Sequence, residues 1–490
     1  MSHPGEPGAT AGAGRVIVIG GGIAGLVAAL ELAKVGLRPL LLEASQTCGG
    51  IVSAHSVGGL TLDAGAESFA TGRPAVCELV AELGLAGQIA VPNPVGAWVR
   101  HRAGSAPLPA VGFLGIPGRP RAADVRRVIG WPGVLRSSID AVWPTRGGWP
   151  ATATLGGVVR ARLGRRVLDR LVEPVAGGVY ATDPDTLEIS TVAPGLRQAF
   201  LDSGSLAGAA RLLRGGGERS GSAVATLSGG LHRLVPALVR ALEAAGGRIR
   251  YDATVRELTR HDDGWSVALA GGPVLTAAAV VLALPAPRTA ELLGSALPGL
   301  VTTVLSAPIT PVRICTLVVD DHRLDPAPRG TGVLVSAQMT GVTAKALTHA
   351  TAKWPWLAQL AGPGRHILRL SYGRGDASSL PDSAALPPIA LADAGKLLGV
   401  TLAPASVADA AVVEWSSALP APRPGHAAAV RELRQELTAT GLSVVGAAVA
   451  GSGLAGVVAD ARTQAGAVFN PGARLNPALS DRSGADTGAG

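Results

Sequence analysis

The sequence predicts an α/β fold of mixed α+β character organised around a parallel sheet, and three observations carry that reading. Residues 16–19, Val-Ile-Val-Ile, are a short β-branched apolar run, as expected of a strand buried on both faces of a parallel sheet. Gly20, Gly22 and Gly25 follow at once and open a helix over residues 23–35, in which Leu26, Leu30 and Ala33 recur at helical spacing. The helix stops at Gly36, and a second apolar run over residues 39–42 ends in Glu43.

Each residue type in this stretch has a physical role. Gly20 allows a tight turn, Gly22 lets an anion approach the backbone, and Gly25 permits close helix–strand contact. The helix N-terminus offers unpaired N–H groups and a positive dipole to a pyrophosphate. Glu43 stands where a carboxylate accepts hydrogen bonds from both ribose hydroxyls. Because the chain holds 67 glycines in 490 residues, the glycine spacing alone is weak evidence. The ordered succession of strand, glycines, helix, strand and acid makes it a dinucleotide site.

Composition bounds the rest. A chain of 490 residues exceeds one core and implies two or three domains. The formal net charge of +8 comes mainly from dispersed Arg and favours an anionic ligand or an acidic lipid surface. Basic runs interleaved with aromatics are missing from the sequence, which argues against nucleic acid. Cys48, Cys77 and Cys315 are far apart with no CxxC pair, so neither a disulfide scaffold nor a metal site is expected, and a reducing cytoplasm fits. Residues 1–14 have the composition of a disordered leader rather than a signal peptide, and residues 476–490 that of a disordered tail. With no apolar window of about 20 residues, the protein is expected to be soluble or peripheral to a membrane.

The glycine pair Gly49-Gly50 just past the acid resembles FAD enzymes of the amine-oxidase type. Further on, the loop Gly65-Ala66-Glu67-Ser68, after a hairpin turning at Gly58-Gly59, resembles the oxygen-dependent protoporphyrinogen and coproporphyrinogen III oxidases. A second stretch of that resemblance runs from Glu173-Pro174 through Gly177-Gly178 to Tyr180-Ala181-Thr182-Asp183. A third is the strand, glycine-rich turn and helix over residues 442–462, which repeats the opening architecture. The similarity covers residues 15–467.

This resemblance implies a Rossmann-type FAD-binding domain assembled from residues 15–88, 220–285 and 440–475, a helical domain over 89–219 and a mixed-sheet substrate domain over 286–439. It places FAD on Gly20, Gly21, Gly22, Ile23, Ala24, Gly25, Glu43, Ala44, Gly50, Ile51, the loop Gly65, Ala66, Glu67 and Ser68, the backbone of Val255, Trp415, and Val457, Val458 and Ala459. Gly177 and Gly178, as a small-residue turn, would let a flat macrocycle lie close to the backbone, beside Tyr180, with Arg100 as a propionate ligand. No side chain is singled out as catalytic, because a bound cofactor carries the redox chemistry. The implied activity is oxidation of coproporphyrinogen III by O2, with H2O2 formed, in haem biosynthesis. Protoporphyrinogen IX, another amine-oxidase-like reaction, or a non-enzymatic porphyrin or flavin carrier are the alternatives. A downstream haem-pathway enzyme is an expected partner. The Pro-, Gly- and Arg-rich stretch over residues 91–148, with Trp98, Trp131, Trp143 and Trp149 in its neighbourhood, suggests contact with anionic headgroups.

Overall fold

Five parallel strands answer the apolar runs of the sequence. In a computed structural model, which describes residues 15–145, 148–150, 152–214, 224–300, 303–306, 309–374, 380–420, 423–438 and 440–468, they lie in the order Arg248–Arg250, Leu40–Leu42, Val16–Ile19, Ala279–Leu282 and Leu442–Val444. Every residue of Val16–Ile19 and Ala279–Leu282 is buried, because helices cover one face of this sheet and the antiparallel strands over residues 255–277, with further helices, cover the other. On one face the helix Ile23–Lys34 packs against Leu454–Val468 and Leu234–Ala244, bringing the two ends of the chain together. Arg462 reinforces that junction by pairing with Glu31 at 3.2 Å and Glu82 at 2.7 Å.

The hairpin Ala54–Val57 and Leu60–Asp63 turns at Gly58 and Gly59, whose φ values of 57° and 76° suit the tight turns that match strand twist. Its buried side chains Val57 and Leu62 pack onto Val318 and Ile367 of a second, seven-stranded sheet. That sheet runs in the order Val407–Pro420, Ile309–Asp320, Arg365–Tyr372, Ala346–His349, Gly332–Val335, Trp98–His101 and Gly104–Pro107. A smaller three-stranded layer, Val255–His261, Gly264–Leu269 and Val274–Ala277, completes the sheet structure over residues 255–277.

Two features of residues 89–219 differ from the sequence expectation. Trp98–His101 and Gly104–Pro107 are strands, and the first pairs in parallel with Gly332–Val335, so they extend the sheet expected to belong wholly to residues 286–439. Val99 and His101 are buried and alternate with half-buried Trp98 and Arg100, a period-two pattern masked by the Gly, Pro and Arg residues around it. The rest of the segment is mainly helical around its own apolar core, which includes Leu155, Leu171, Phe200 and Leu206. The expected small-residue turn after Glu173-Pro174 is instead the helix Glu173–Tyr180. Pro174 falls in its first turn, where the missing N–H costs nothing, and Ala181 ends it with a left-handed φ of 53°. The expected leader, residues 1–14, and tail, residues 476–490, lie outside the described residues.

Candidate cofactor and substrate site

The opening glycines build an anion cradle. Gly20 has φ of 105°, and its N–H donates to the Leu42 carbonyl at 2.8 Å, which closes the strand-to-helix turn against the neighbouring strand. A Cβ on Gly25 would sit 1.9 Å from the Gly20 oxygen, so only glycine lets the helix start this close to the turn. The Leu26 N–H donates to Gly22 O, leaving the amides of Ile23, Ala24 and Gly25 in the first turn without intrahelical acceptors. A Cβ on Gly22 would meet nothing within 4 Å, and one on Gly50 only the Gly22 Cα at 3.6 Å. Gly22 and Gly50 therefore border open space at a helix N-terminus, which fits the pyrophosphate of a dinucleotide.

Glu43 follows its strand into the same site. Its Oε2 accepts the Gly21 N–H at 2.7 Å, and its Oε1 accepts the Ser45 N–H at 2.8 Å together with the Ser45 hydroxyl. Of the roughly four acceptor sites of a carboxylate, one on Oε2 remains for a ribose hydroxyl. Ala44 beside it is exposed, as is Ile51 at 39%. The second glycine element also arrives here: a Cβ on Gly446 would lie 3.6 Å from the Cβ of Ala24. In its helix Val457 and Val458 are buried, and the Val457 N–H donates to Gly453 O at 3.0 Å. The amides without intrahelical acceptors belong to Leu454, Ala455 and Gly456, one turn before the Val457, Val458 and Ala459 expected from sequence. Val255 is buried and its carbonyl is held by the Arg288 guanidinium.

The loop Gly65-Ala66-Glu67-Ser68 lies between this site and the second sheet. Ala66 N–H donates to Ile51 O at 3.0 Å, and a Cβ on Gly65 would meet that oxygen at 2.2 Å and the Trp415 ring at 3.1 Å. Trp415 thus packs on the loop, its indole N–H directed at Ala64 O. Glu67, only 14% exposed, pairs with Lys353 and Arg369, and Arg369 also donates to Gly65 O at 2.8 Å. Burial pushes the Glu67 carboxyl up, but Lys353 and Arg369 outweigh it and hold it at about 2. Sequence reasoning missed both cations, which stand 286 and 302 residues away. The only signal was an acid in an otherwise small-residue loop.

Beside the loop, Gly65, Glu67, Ile314, Ala346, Thr348, Arg369 and Ser371 border a cavity of about 140 Å³. Strand register sets this wall: Leu334, Ala346, Ser371 and Ile314 form one cross-strand row, and Thr348, Arg369 and Thr316 the next. Near this wall, three buried polar atoms find no hydrogen-bond partner among the described residues: Arg369 Nε, Thr316 Oγ1 and, on the hairpin, His55 Nε2. Burial, then the neighbouring Arg369, lowers the His55 pKa. Another cavity, of about 200 Å³, lies within the helical segment between Trp149, Ile189 and Arg197.

The expected substrate residues are placed differently. A Cβ on Gly177 would lie 2.7 Å from Arg374 Nη1 and one on Gly178 2.8 Å from Leu334 Cδ2, so these glycines let the helix seat on the sheet. Arg374 also pairs with Glu173 at 3.0 Å across that contact. The Tyr180 hydroxyl donates to Val192 O at 3.3 Å inside the helical unit, and burial raises its pKa to about 12. Arg100 donates to the Ser105 hydroxyl of the adjacent strand.

A parallel sheet with glycine-rich turns from both ends of the chain, joined to a mixed sheet through a cavity-lining loop, defines a dinucleotide-binding oxidoreductase. The chain belongs to the flavin-containing amine oxidoreductase family, whose pattern matches residues 23–469, and its cofactor is FAD. It is 33% identical over 448 residues to the coproporphyrinogen III oxidase of Mycobacterium leprae, covering 89% of this chain and 94% of that one. The coproporphyrinogen III oxidase of Propionibacterium freudenreichii is 30% identical over 529 residues, covering 99% and 96%. A crystal structure of an Exiguobacterium sp. 255-15 protein assigned as a protoporphyrinogen oxidase superposes with a TM-score of 0.79 at 26% identity, covering 93% of this chain and 99% of that one.

Proposed function

We propose that this chain oxidises coproporphyrinogen III to coproporphyrin III, reducing three O2 to three H2O2 as six electrons and six protons leave the macrocycle. What carries this reading is its similarity over nearly the whole chain to enzymes of that name. Bound FAD supplies the two-electron acceptor. The amides of Ile23, Ala24 and Gly25 and the open face of Gly22 would hold its pyrophosphate, and Glu43 its ribose. Loop 65–68 and Trp415 would wall the redox end, and the Leu334 to Ile314 row of the second sheet would shield it from water.

A net basic protein suits a substrate with four carboxylates better than protoporphyrinogen IX, which has two. Steady-state assays with both porphyrinogens test the choice: a higher kcat/KM for coproporphyrinogen III is expected, and preference for protoporphyrinogen IX overturns it.

The reading extends to a cytoplasmic protein touching an anionic membrane face. Along the segment around the helix Ala123–Ser138, Trp131, Leu135, Ile139 and Trp143 recur at four-residue spacing and are 61%, 68%, 45% and 47% exposed. Arg126 stacks 4.8 Å over Trp131 and Arg136 5.6 Å over Trp143, putting cations beside the apolar stripe. Among the described residues no helix is long and apolar enough to cross a membrane. Co-sedimentation with anionic vesicles, and none with neutral ones, is the expected result. A downstream enzyme accepting the porphyrin product is the proposed protein partner, to be sought by pull-down with the FAD-loaded chain.

A further inference from the structure

The cavity beside the loop 65–68 has chemistry of its own. Its floor is a sheet face, yet the residues there are Arg369, Thr348 and Ser371 rather than the aliphatic side chains that fill the same face one step away at Val318 and Ile367. Arg369 is 9% exposed, and its two terminal nitrogens are engaged by Glu67 and by Gly65 O. Its Nε–H is buried and has no partner, and Thr316, fully buried in the same cross-strand row, has an unpartnered hydroxyl. Folded proteins leave few buried polar atoms unpaired, so this polar row is not built to be satisfied by the chain alone.

The electrostatics decide the sign of that group. Glu67 is one negative charge against Lys353 and Arg369, so the cluster keeps one net positive charge in a part-buried place. A further cation or a neutral arm would leave that charge unbalanced, whereas an anion completes it. Guanidinium and hydroxyl donors match a carboxylate. The volume, about 140 Å³, accommodates a carboxyethyl arm.

We infer that this cavity is a subsite for one carboxylate arm of the substrate, received by the Arg369 guanidinium and the hydroxyls of Thr348 and Ser371, with Glu67 and Lys353 fixing the guanidinium. This rests on the porphyrinogen reading of the site and names which residues read the acid. Glu67 thereby becomes a positioning residue, acting through Arg369.

The test is fluorescence titration of the FAD-loaded protein with coproporphyrin III and with its tetramethyl ester, which keeps the ring and removes the negative charges. Ser371→Ala and Thr348→Val should weaken binding of the acid by about three- to tenfold, and Arg369→Lys by about ten- to hundredfold, with ester binding unchanged. Ser371→Ala removes no ion pair, so it reports on the subsite even where Arg369→Lys disturbs folding. Equal losses for acid and ester, or no loss in any variant, overturn the subsite while leaving the porphyrinogen reading intact. If the unaltered protein binds neither porphyrin, the porphyrinogen reading fails and the subsite falls with it.

Discussion

Replacing Glu67 by Gln tests the joint between loop and sheet. The substitution keeps size and shape but leaves Lys353 and Arg369, 15% and 9% exposed, without their counter-charge. Removing one partner of a buried ion pair costs about 3–5 kcal/mol. The displacement of the Glu67 carboxyl from 4.5 to about 2 gives an independent figure of about 3 kcal/mol at neutral pH. A depressed carboxyl stabilises fully above its unfolded value, and that stabilisation fades as pH falls from about 4.5 toward 2. With an unfolding entropy of about 1 kcal/mol/K for a chain of 490 residues, the variant should melt about 3 °C lower at pH 7. Scanning calorimetry of both proteins at pH 7, 5 and 4 is the assay: the gap should hold at pH 7 and 5 and begin to narrow at pH 4. A gap below about 1 °C at pH 7, or one that widens as pH falls, refutes the assignment of Glu67 as the buried counter-ion.

Other outcomes follow from the same geometry. Gly22→Val places a branched side chain in the open cradle and should yield folded protein without flavin, checked by absorbance and circular dichroism; full flavin content would count against the pyrophosphate assignment. Lys345, 2% exposed and pushed to about 7 by burial and then by Arg374, should make the protein gain stability as pH rises from about 7 toward 10.5. Lys345→Met should remove that slope and raise stability at pH 7 by roughly 2–4 kcal/mol, read by melting at pH 7 and 9. Leu135→Glu combined with Trp143→Glu should abolish sedimentation with anionic vesicles while leaving porphyrinogen turnover in solution unchanged.

What could be read from the sequence was what is local in it. The strand Val16–Ile19, the glycines after it and the helix Ile23–Lys34 are adjacent in the chain, so their periodicities are visible without knowing what packs on them. The hairpin at Gly58-Gly59 was legible for the same reason. The cluster at Glu67 was not, since its cations come from a short helix and a strand some three hundred residues on. Parallel pairing of Trp98–His101 with Gly332–Val335 is equally non-local. Gly177 and Gly178 show a different limit: a missing Cβ signals close approach without saying what approaches, and in this structure Arg374 and Leu334 lie nearest.

The central claim, a flavoprotein that oxidises a porphyrinogen, is tested most directly by mixing the FAD-loaded protein anaerobically with coproporphyrinogen III and following the visible flavin absorbance. The account predicts that the flavin bleaches, porphyrin absorbance appears, and admitted O2 restores the flavin with formation of H2O2. A flavin that stays oxidised through that mixing, in protein that binds FAD fully, would contradict it.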